Sequence, residues 1–380
     1  MRKKILITST DLMMIQCLVP HVLHLSANGW KVEIACSDAG GRIGDLRSIL
    51  KGNVTLHKVR LHRNPANLEN VLGYFDIQKI ISSKNWDVIW TNEPVMGAVT
   101  RIAASRARRK GTKVVYMVHG FHFYHGAPLI NWLLFFPVER ILAHLTDYII
   151  TVNKEDYNRA RNFSVKRVEY IHGIGVNTDK LQPDMISLDI REKLGIPGNA
   201  FLILSVGELN RNKNQKVIID ALAELKDKDI YYILCGRGKK KKKLKALARK
   251  YSIDRNIFFV DYRKDVINFY SQADLFALSS FREGLPVSLL EAMYCEVTPV
   301  TSDARGISDV MQNEVTGIVC PPNDGRAFAK AISILKSDRS LLKEYGKNSK
   351  KAVELYAFSL VKKQVLELLT EFEEANESCR

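Results

Sequence analysis

Residues 4–8, Lys-Ile-Leu-Ile-Thr, form a short apolar run that a polar loop separates from a helical pattern over about 15–28. Gly29 stops that helix, and residues 31–36 alternate as a second strand. Two strands joined through a helix run parallel, and a parallel sheet must be covered by helices on both faces. The same plan recurs at 54–61, 65–84 and 88–91, at 113–118, and at 148–152 and 168–172. After a charged stretch at 184–196 it begins again at 201–206 and continues through 231–235, 256–260, 275–278 and 317–320. The expected class is therefore α/β with two Rossmann-like halves, and 380 residues suffice for two domains with their own cores. In such sheets ligands bind beyond the carboxyl ends of the strands.

One strand end stands out. The apolar run 275–278 leads to Gly284, and a helix follows over 287–293 with Pro286 expected at its first position. Strand, glycine and helix start together offer free backbone N–H groups to an anion. Glu283 sits at the helix mouth and Glu291 lies within the helix, roughly 7 Å along the axis. A diphosphate at the mouth would have a carboxylate at each end, one for sugar hydroxyls and one for a ribose. Spacing alone leaves open two unrelated glutamates on an ordinary amphipathic helix.

The run Ser-Phe-Arg-Glu-Gly-Leu-Pro-Val-Ser-Leu-Leu-Glu-Ala-Met at 280–293, with Thr-Ser-Asp-Ala-Arg-Gly at 301–306, resembles the signature of retaining GT-B glycosyltransferases of family 4. The variant is similar to bacterial capsular and exopolysaccharide sugar transferases. Glu296 and Thr298 depart from the pattern, standing where the family has Gly and Pro. The resemblance implies two Rossmann-like domains whose parallel sheets face a central cleft. The first, acceptor-binding, spans 1–176, and a last helix at about 357–380 packs back on it. The second, donor-binding, spans 177–356. Glu283 is implied to contact the donor sugar near the reacting carbon and Glu291 the ribose, while Gly284, Leu285, Pro286 and Val287 meet the diphosphate or sugar.

Other positions follow from the same resemblance. The loop after 201–206 opens with Gly207, and Lys213 matches the family's phosphate-binding lysine. Glu208 replaces the family's arginine, so Arg211 is the candidate for that contact. His119, after strand 113–118, corresponds to a histidine near the donor sugar. Tyr262 and Arg263 fall where the nucleobase is held, and Asp11 lies in a loop on the acceptor side. Gly173 and Gly175 resemble an interdomain hinge. His119, His122 and His125 have no completing carboxylates for a metal site, and Asp227-Lys-Asp229 precedes a strand and reads as a turn, against the metal-dependent GT-A class. The expected enzyme uses a nucleotide sugar, UDP-hexose or UDP-N-acetylhexosamine, as substrate, with neither metal nor cofactor.

Charge and composition bear on partners. The net charge is +16, with most of the excess in residues 1–180, and this favours an anionic surface. No nucleic-acid module is readable. The expected partners are the nucleotide sugar, a lipid-diphosphate-linked glycan acceptor and an anionic membrane, placing the protein on the cytoplasmic face of the cell membrane. No apolar run is long enough to cross a bilayer. The apolar segment 127–145, with Trp132, Leu133, Leu134, Phe135 and Phe136 in a row, reads as either a core helix or a membrane-contacting one. The basic runs 106–110 and 239–243 read as solvated helix ends or as lipid contacts. Six scattered cysteines without a Cys-x-x-Cys pair read as reduced, buried thiols. Two other readings stay open: a non-hydrolysing UDP-sugar epimerase of similar fold, and a basic membrane-binding protein without activity.

Overall fold

Alternate side chains of the strands enter different cores, as a parallel sheet covered on both faces requires. Along Phe201–Val206, Phe201 and Ile203 pack into one apolar cluster while Leu202 and Leu204 pack into another. The computed structural model describes residues 2–10, 12–38, 43–50 and 54–375. The chain forms two units, Met1–Ile174 together with Ser359–Arg380, and Gly175–Phe358.

Among the described residues the first unit holds seven strands: β1 (Lys4–Ser9), β2 (Lys31–Cys36), β3 (Thr55–Lys58), β4 (Val88–Asn92), β5 (Lys113–Val118), β6 (Tyr148–Thr151) and β7 (Arg167–Tyr170). Their order is β3-β2-β1-β4-β5-β6-β7, and every pairing is parallel. The second unit holds β8 (Phe201–Val206), β9 (Ile230–Cys235), β10 (Ile257–Asp261), β11 (Leu275–Leu278), β12 (Thr298–Ser302) and β13 (Ile318–Cys320), in the order β10-β9-β8-β11-β12-β13 and again all parallel. The strand order reverses beside β1 and β8, where doubly wound sheets form their ligand crevices. The Rossmann-like plan expected from the strand–helix alternation is present in both units.

Asn153 caps its helix, accepting a hydrogen bond from the Asp156 N–H at 2.8 Å. The segment between β4 and β5 forms two helices, Pro94–Ala103 and Ser105–Arg109. The second piece is tied elsewhere: Arg108 donates to the His144 carbonyl and pairs with Asp147. Pro286 is the cap residue, with φ −79° and ψ 103°, and the helix starts one residue later at Val287. The turn at the non-family residue Glu296 takes a left-handed φ of 60°, a conformation that glycine adopts at lower cost. Lys350 pairs with the Glu296 side chain at 2.8 Å. Cys36, Cys235 and Cys320 are buried and Cys295 is half-buried, but Cys17 is exposed, and Cys379 lies outside the described residues.

Helix Phe358–Glu374 lies largely within the first unit. Phe372 stacks on Tyr148 with ring centres 3.8 Å apart, and Glu373 pairs with Lys3 at 2.5 Å. Helix Leu129–Ala143 packs Trp132, Phe135 and Phe136 inward and leaves Leu129, Ile130, Leu133, Leu134, Val138 and Ile141 exposed. The segment is therefore a core helix on one face and carries an exposed apolar stripe on the other. No helix among the described residues is long and apolar enough to cross a membrane.

Candidate active site

The loops at the carboxyl ends of β8, β9, β11 and β12 meet through glycines. Gly207 and Gly236 have φ of 152° and 156°, and a side chain at Gly236 would put its Cβ 1.8 Å from the Gly207 carbonyl oxygen. Gly306, at φ 77°, lies so close to the β11 loop that a Cβ would come within 2.1 Å of the Gly284 carbonyl oxygen. These contacts are open only to glycine. They draw the β8 and β12 loops around the mouth of helix Val287–Tyr294.

Further bonds fix that mouth. Ser302 Oγ donates to the Ser280 carbonyl at 2.5 Å, and Arg305 Nε donates to the Glu283 carbonyl at 3.3 Å. From the β8 side, Asn212 Nδ2 donates to the Arg282 carbonyl at 2.9 Å and the Phe281 N–H donates to the Asn212 carbonyl at 2.8 Å. Lys213 Nζ then reaches Glu283 Oε1 at 2.8 Å, with both side chains mostly buried. In the helix's first turn, the N–H groups of Val287 and Ser288 have no hydrogen-bond partner among the described residues. An ammonium and open helix N–H groups thus face the same loop, which is the arrangement that binds phosphate oxygens.

Glu291 lies one turn inside the helix. Tyr270, fully buried, donates its hydroxyl to Glu291 Oε2 at 3.0 Å and braces one oxygen, leaving Oε1 for a ligand. Burial pushes the Glu291 carboxyl up to about 7, although the Tyr270 hydrogen bond and Lys180 pull the other way. The sequence reading missed Tyr270, which is 21 residues away and carries no motif.

Among the described residues, no hydrogen bond or ion pair joins Arg211, Tyr262 or Arg263 to the side chains of Lys213, Glu283 or Glu291. Arg211 is exposed and lines a cavity with Lys240 and Lys243. Tyr262 is exposed, and Arg263 is held by Asp265 at 2.8 Å beyond the end of β10. Asp227 and Asp229 form a turn, the Asp229 N–H donating to Asp227 Oδ1 at 2.9 Å.

In the first unit, His119 follows β5. Asn92 Nδ2 donates to the Thr8 carbonyl at 3.2 Å, so Asn92 Oδ1 is the acceptor for His119 Nε2–H at 2.9 Å. That fixes the neutral tautomer and presents Nδ1 as an acceptor. Burial, with His21 nearby, lowers the imidazole to about 4, so it is uncharged at neutral pH. His122 packs on Phe135, and the His125 N–H donates to Glu155 at 2.7 Å, leaving both as loop residues. Asp11 lies outside the described residues.

Glu93, at the end of β4, was not anticipated. Its φ of 64° and ψ of 154° are almost exclusive to glycine. It accepts from Ser9 Oγ at 2.6 Å and from the Thr10 N–H at 2.7 Å, holding the loop after β1. Strain of this kind gathers at functional strand ends.

Comparison with known proteins gives the family and the fold. Residues 187–352 match the model described as glycosyl transferases group 1, and residues 21–180 match that of glycosyltransferase family 4. EpsD of Bacillus subtilis (strain 168), a glycosyltransferase by its name, is 34% identical over 92% of this chain and 92% of its own. The UDP-Gal:alpha-D-GlcNAc-diphosphoundecaprenol alpha-1,3-galactosyltransferase of Escherichia coli is 26% identical over 87% of this chain and 86% of its own. Among solved structures, HepE of Anabaena in complex with UDP and glucose aligns with a TM-score of 0.81 and 19% identity, covering 97% of this chain and 100% of that one. Sucrose-phosphate synthase of Thermosynechococcus elongatus aligns with a TM-score of 0.80 and 17% identity, covering 98% and 100%. These two show the fold, GT-B. With its paired carboxylates, glycine-bound loops and a relative alike along nearly its whole length, the chain belongs to the glycosyltransferases of this GT-B family and is a hexosyltransferase.

Proposed function

We propose that the enzyme moves a hexose or N-acetylhexosamine from a UDP-linked donor to a lipid-diphosphate-linked glycan, in building a bacterial surface polysaccharide, with retention and without a divalent cation. The observation that carries the proposal is Lys213 set against Glu283 at an open helix mouth, with Glu291 braced one turn inside. The diphosphate lies on Lys213 and the first-turn N–H groups, and Glu291 Oε1 accepts the ribose hydroxyls. Glu283 stands at the sugar, and the role of His119, a neutral imidazole presenting Nδ1 as an acceptor, rests on the family resemblance.

In the transfer, the bond between the anomeric carbon and the diphosphate oxygen breaks. A bond forms to the acceptor hydroxyl oxygen, whose proton ends on the departing diphosphate. The charge growing on that leaving group is met by fixed dipoles and an ammonium, which need no reorganisation as the bond breaks. Retention rests on the family resemblance. The lipid-linked acceptor is supported by the Escherichia coli relative, whose name specifies a diphosphoundecaprenol substrate.

The membrane placement rests on two exposed apolar stripes in the first unit. Helix Glu69–Ser82 exposes Val71, Leu72 and Phe75, with Leu68 just before it, and helix Leu129–Ala143 exposes Leu129 and Leu133 at 80% and 71%. Both helices pack on Pro94–Ala103. The buried Arg101–Glu139 pair, at 2.8 Å, anchors the second to that helix. Arg106, Arg109 and Lys110 are exposed on the short helix tied by Arg108 to the end of Leu129–Ala143. Apolar side chains flanked by cations suit the cytoplasmic leaflet of an anionic bilayer.

Thermal-shift titration with UDP, GDP, dTDP and their sugars tests the donor. UDP and its sugars are expected to give the largest stabilisation; a larger response to GDP or dTDP would contradict the choice of nucleotide.

A further inference from the structure

We propose that the second unit carries a separate site for a hydroxyl-bearing phosphate ester, a sugar phosphate by chemical class, between the loop after β8 and the helix Lys241–Lys250. A cavity of about 370 Å³ opens there, within the size range of small-molecule sites. Buried Leu244 and half-buried Phe281 give it an apolar floor, and Arg211, Lys240 and Lys243 line it with cations. None of these three cations has an ion-pair partner among the described residues.

The local sequence is unfavourable without an anion. Lys239–Lys243 places five ammonium groups at the positive end of a helix, where they repel each other and the dipole, and of the five only Lys241 is ion-paired among the described residues, to Asp261 at 2.5 Å. Lys240, the cap residue, makes no side-chain cap bond. A phosphoryl group at this end would relieve both repulsions.

A second feature points to the rest of the ligand. Gln215 lines the same cavity and is only 5% exposed. Its Nε2 donates to the Glu208 carbonyl at 3.0 Å, but its Oε1 is buried with no partner among the described residues. A buried acceptor left unmet is costly, and its complement is an O–H or N–H donor. A sugar phosphate provides the phosphoryl group for the cations, a hydroxyl for Gln215 Oε1 and a C–H face for Phe281 and Leu244. Arg211 then serves this ligand, and Lys213 alone in its loop serves the donor.

Calorimetric titration of the full chain, with and without saturating UDP, tests the site. The probes are glucose 1-phosphate, glucose 6-phosphate and N-acetylglucosamine 1-phosphate, with inorganic phosphate and glucose alongside. At least one sugar phosphate is expected to bind in the presence of UDP, about fivefold or more tighter than inorganic phosphate, the worth of one added hydrogen bond. The double variant Lys240→Gln, Lys243→Gln should weaken it about tenfold and leave UDP affinity unchanged. Both substitutions are at the surface, and the melting temperature checks the fold. Absence of binding by all three esters, equal affinity for inorganic phosphate, or unchanged binding in the double variant would overturn the proposal. The donor reading fails separately: if UDP does not bind, the cavity is still tested by the titrations without it.

Discussion

Lys213 Nζ lies 2.8 Å from Glu283 Oε1, so the cation assigned to the diphosphate and the carboxylate assigned to the sugar are paired across the mouth of one helix. The pair holds the ammonium in place before a donor arrives. Its partners come from loops 70 residues apart, pinned together by the side-chain amide and carbonyl of Asn212 and the backbone of Phe281 and Arg282.

Removing Glu283 should therefore separate chemistry from binding. In Glu283→Ala the ammonium is released but stays beside the helix mouth. Transfer should fall by about 10² to 10³, the usual loss when one preorganised electrostatic group is removed. The dissociation constant for UDP should change by less than about threefold. Lys213→Ala should weaken UDP and slow transfer together. Steady-state kinetics and UDP calorimetry on both variants check this; equal loss of binding and transfer in Glu283→Ala would contradict the roles.

Glu291 links function to pH. Its carboxyl is raised to about 7 by burial, so in the folded protein it holds a proton that the unfolded chain has released by about pH 5. Stability from this group is complete below about pH 4.5 and is lost as the pH rises through 7. Glu291→Gln keeps the Tyr270 hydrogen bond without the buried charge. It should be more stable than the natural protein at pH 8, by up to about 3 kcal/mol, and nearly equal at pH 4.5. It should also bind UDP more weakly, with a flatter rise in affinity between pH 6 and 8. Urea melts and UDP titrations at the two ends of that range measure both effects.

Gly306→Ala tests the backbone approach. The added methyl would meet the Gly284 carbonyl at 2.1 Å, at a φ of 77° that alanine adopts reluctantly. The loop must shift, and the helix mouth moves with it. A misplacement of about 1 Å can cost 10²-fold in rate, and a fall of that order is expected for transfer while the sheet of the first unit keeps its amide exchange protection.

The apolar stripe on Leu129–Ala143 makes a prediction without reference to the donor. Leu133→Asp with Ile141→Asp should reduce sedimentation with vesicles rich in anionic lipid by more than about tenfold, since two exposed aliphatic side chains lose their burial in lipid. The melting temperature should change by only a few degrees, because neither residue packs in a core. Unchanged vesicle binding would remove this face from the membrane.

The sequence reading reached the sheets and the 275–306 segment because both are local. A parallel strand buried on both faces reads as an unbroken apolar run, and strand, glycine and helix follow each other directly. What it missed depends on contacts between distant segments. Tyr270 and Glu291 have no mutual spacing to read, and only the family resemblance assigns Lys213 and Glu283 to one donor. The strained Glu93 hid for another reason: its backbone conformation suits glycine, and nothing in Asn-Glu-Pro announces it. The break at Ala104 lies between two good helical stretches and comes from the anchoring of Arg108 to Asp147 and His144.

The central claim is that the Lys213 ammonium and the mouth of helix Val287–Tyr294 discharge the leaving diphosphate unaided. The most direct measurement is the initial rate of sugar transfer in excess chelator, compared with the rate after magnesium or manganese is restored. The account predicts the same rate, within about twofold, in both conditions, and a fall of about 10² or more in Lys213→Ala under either. Loss of transfer in chelator with recovery on adding the cation would contradict it.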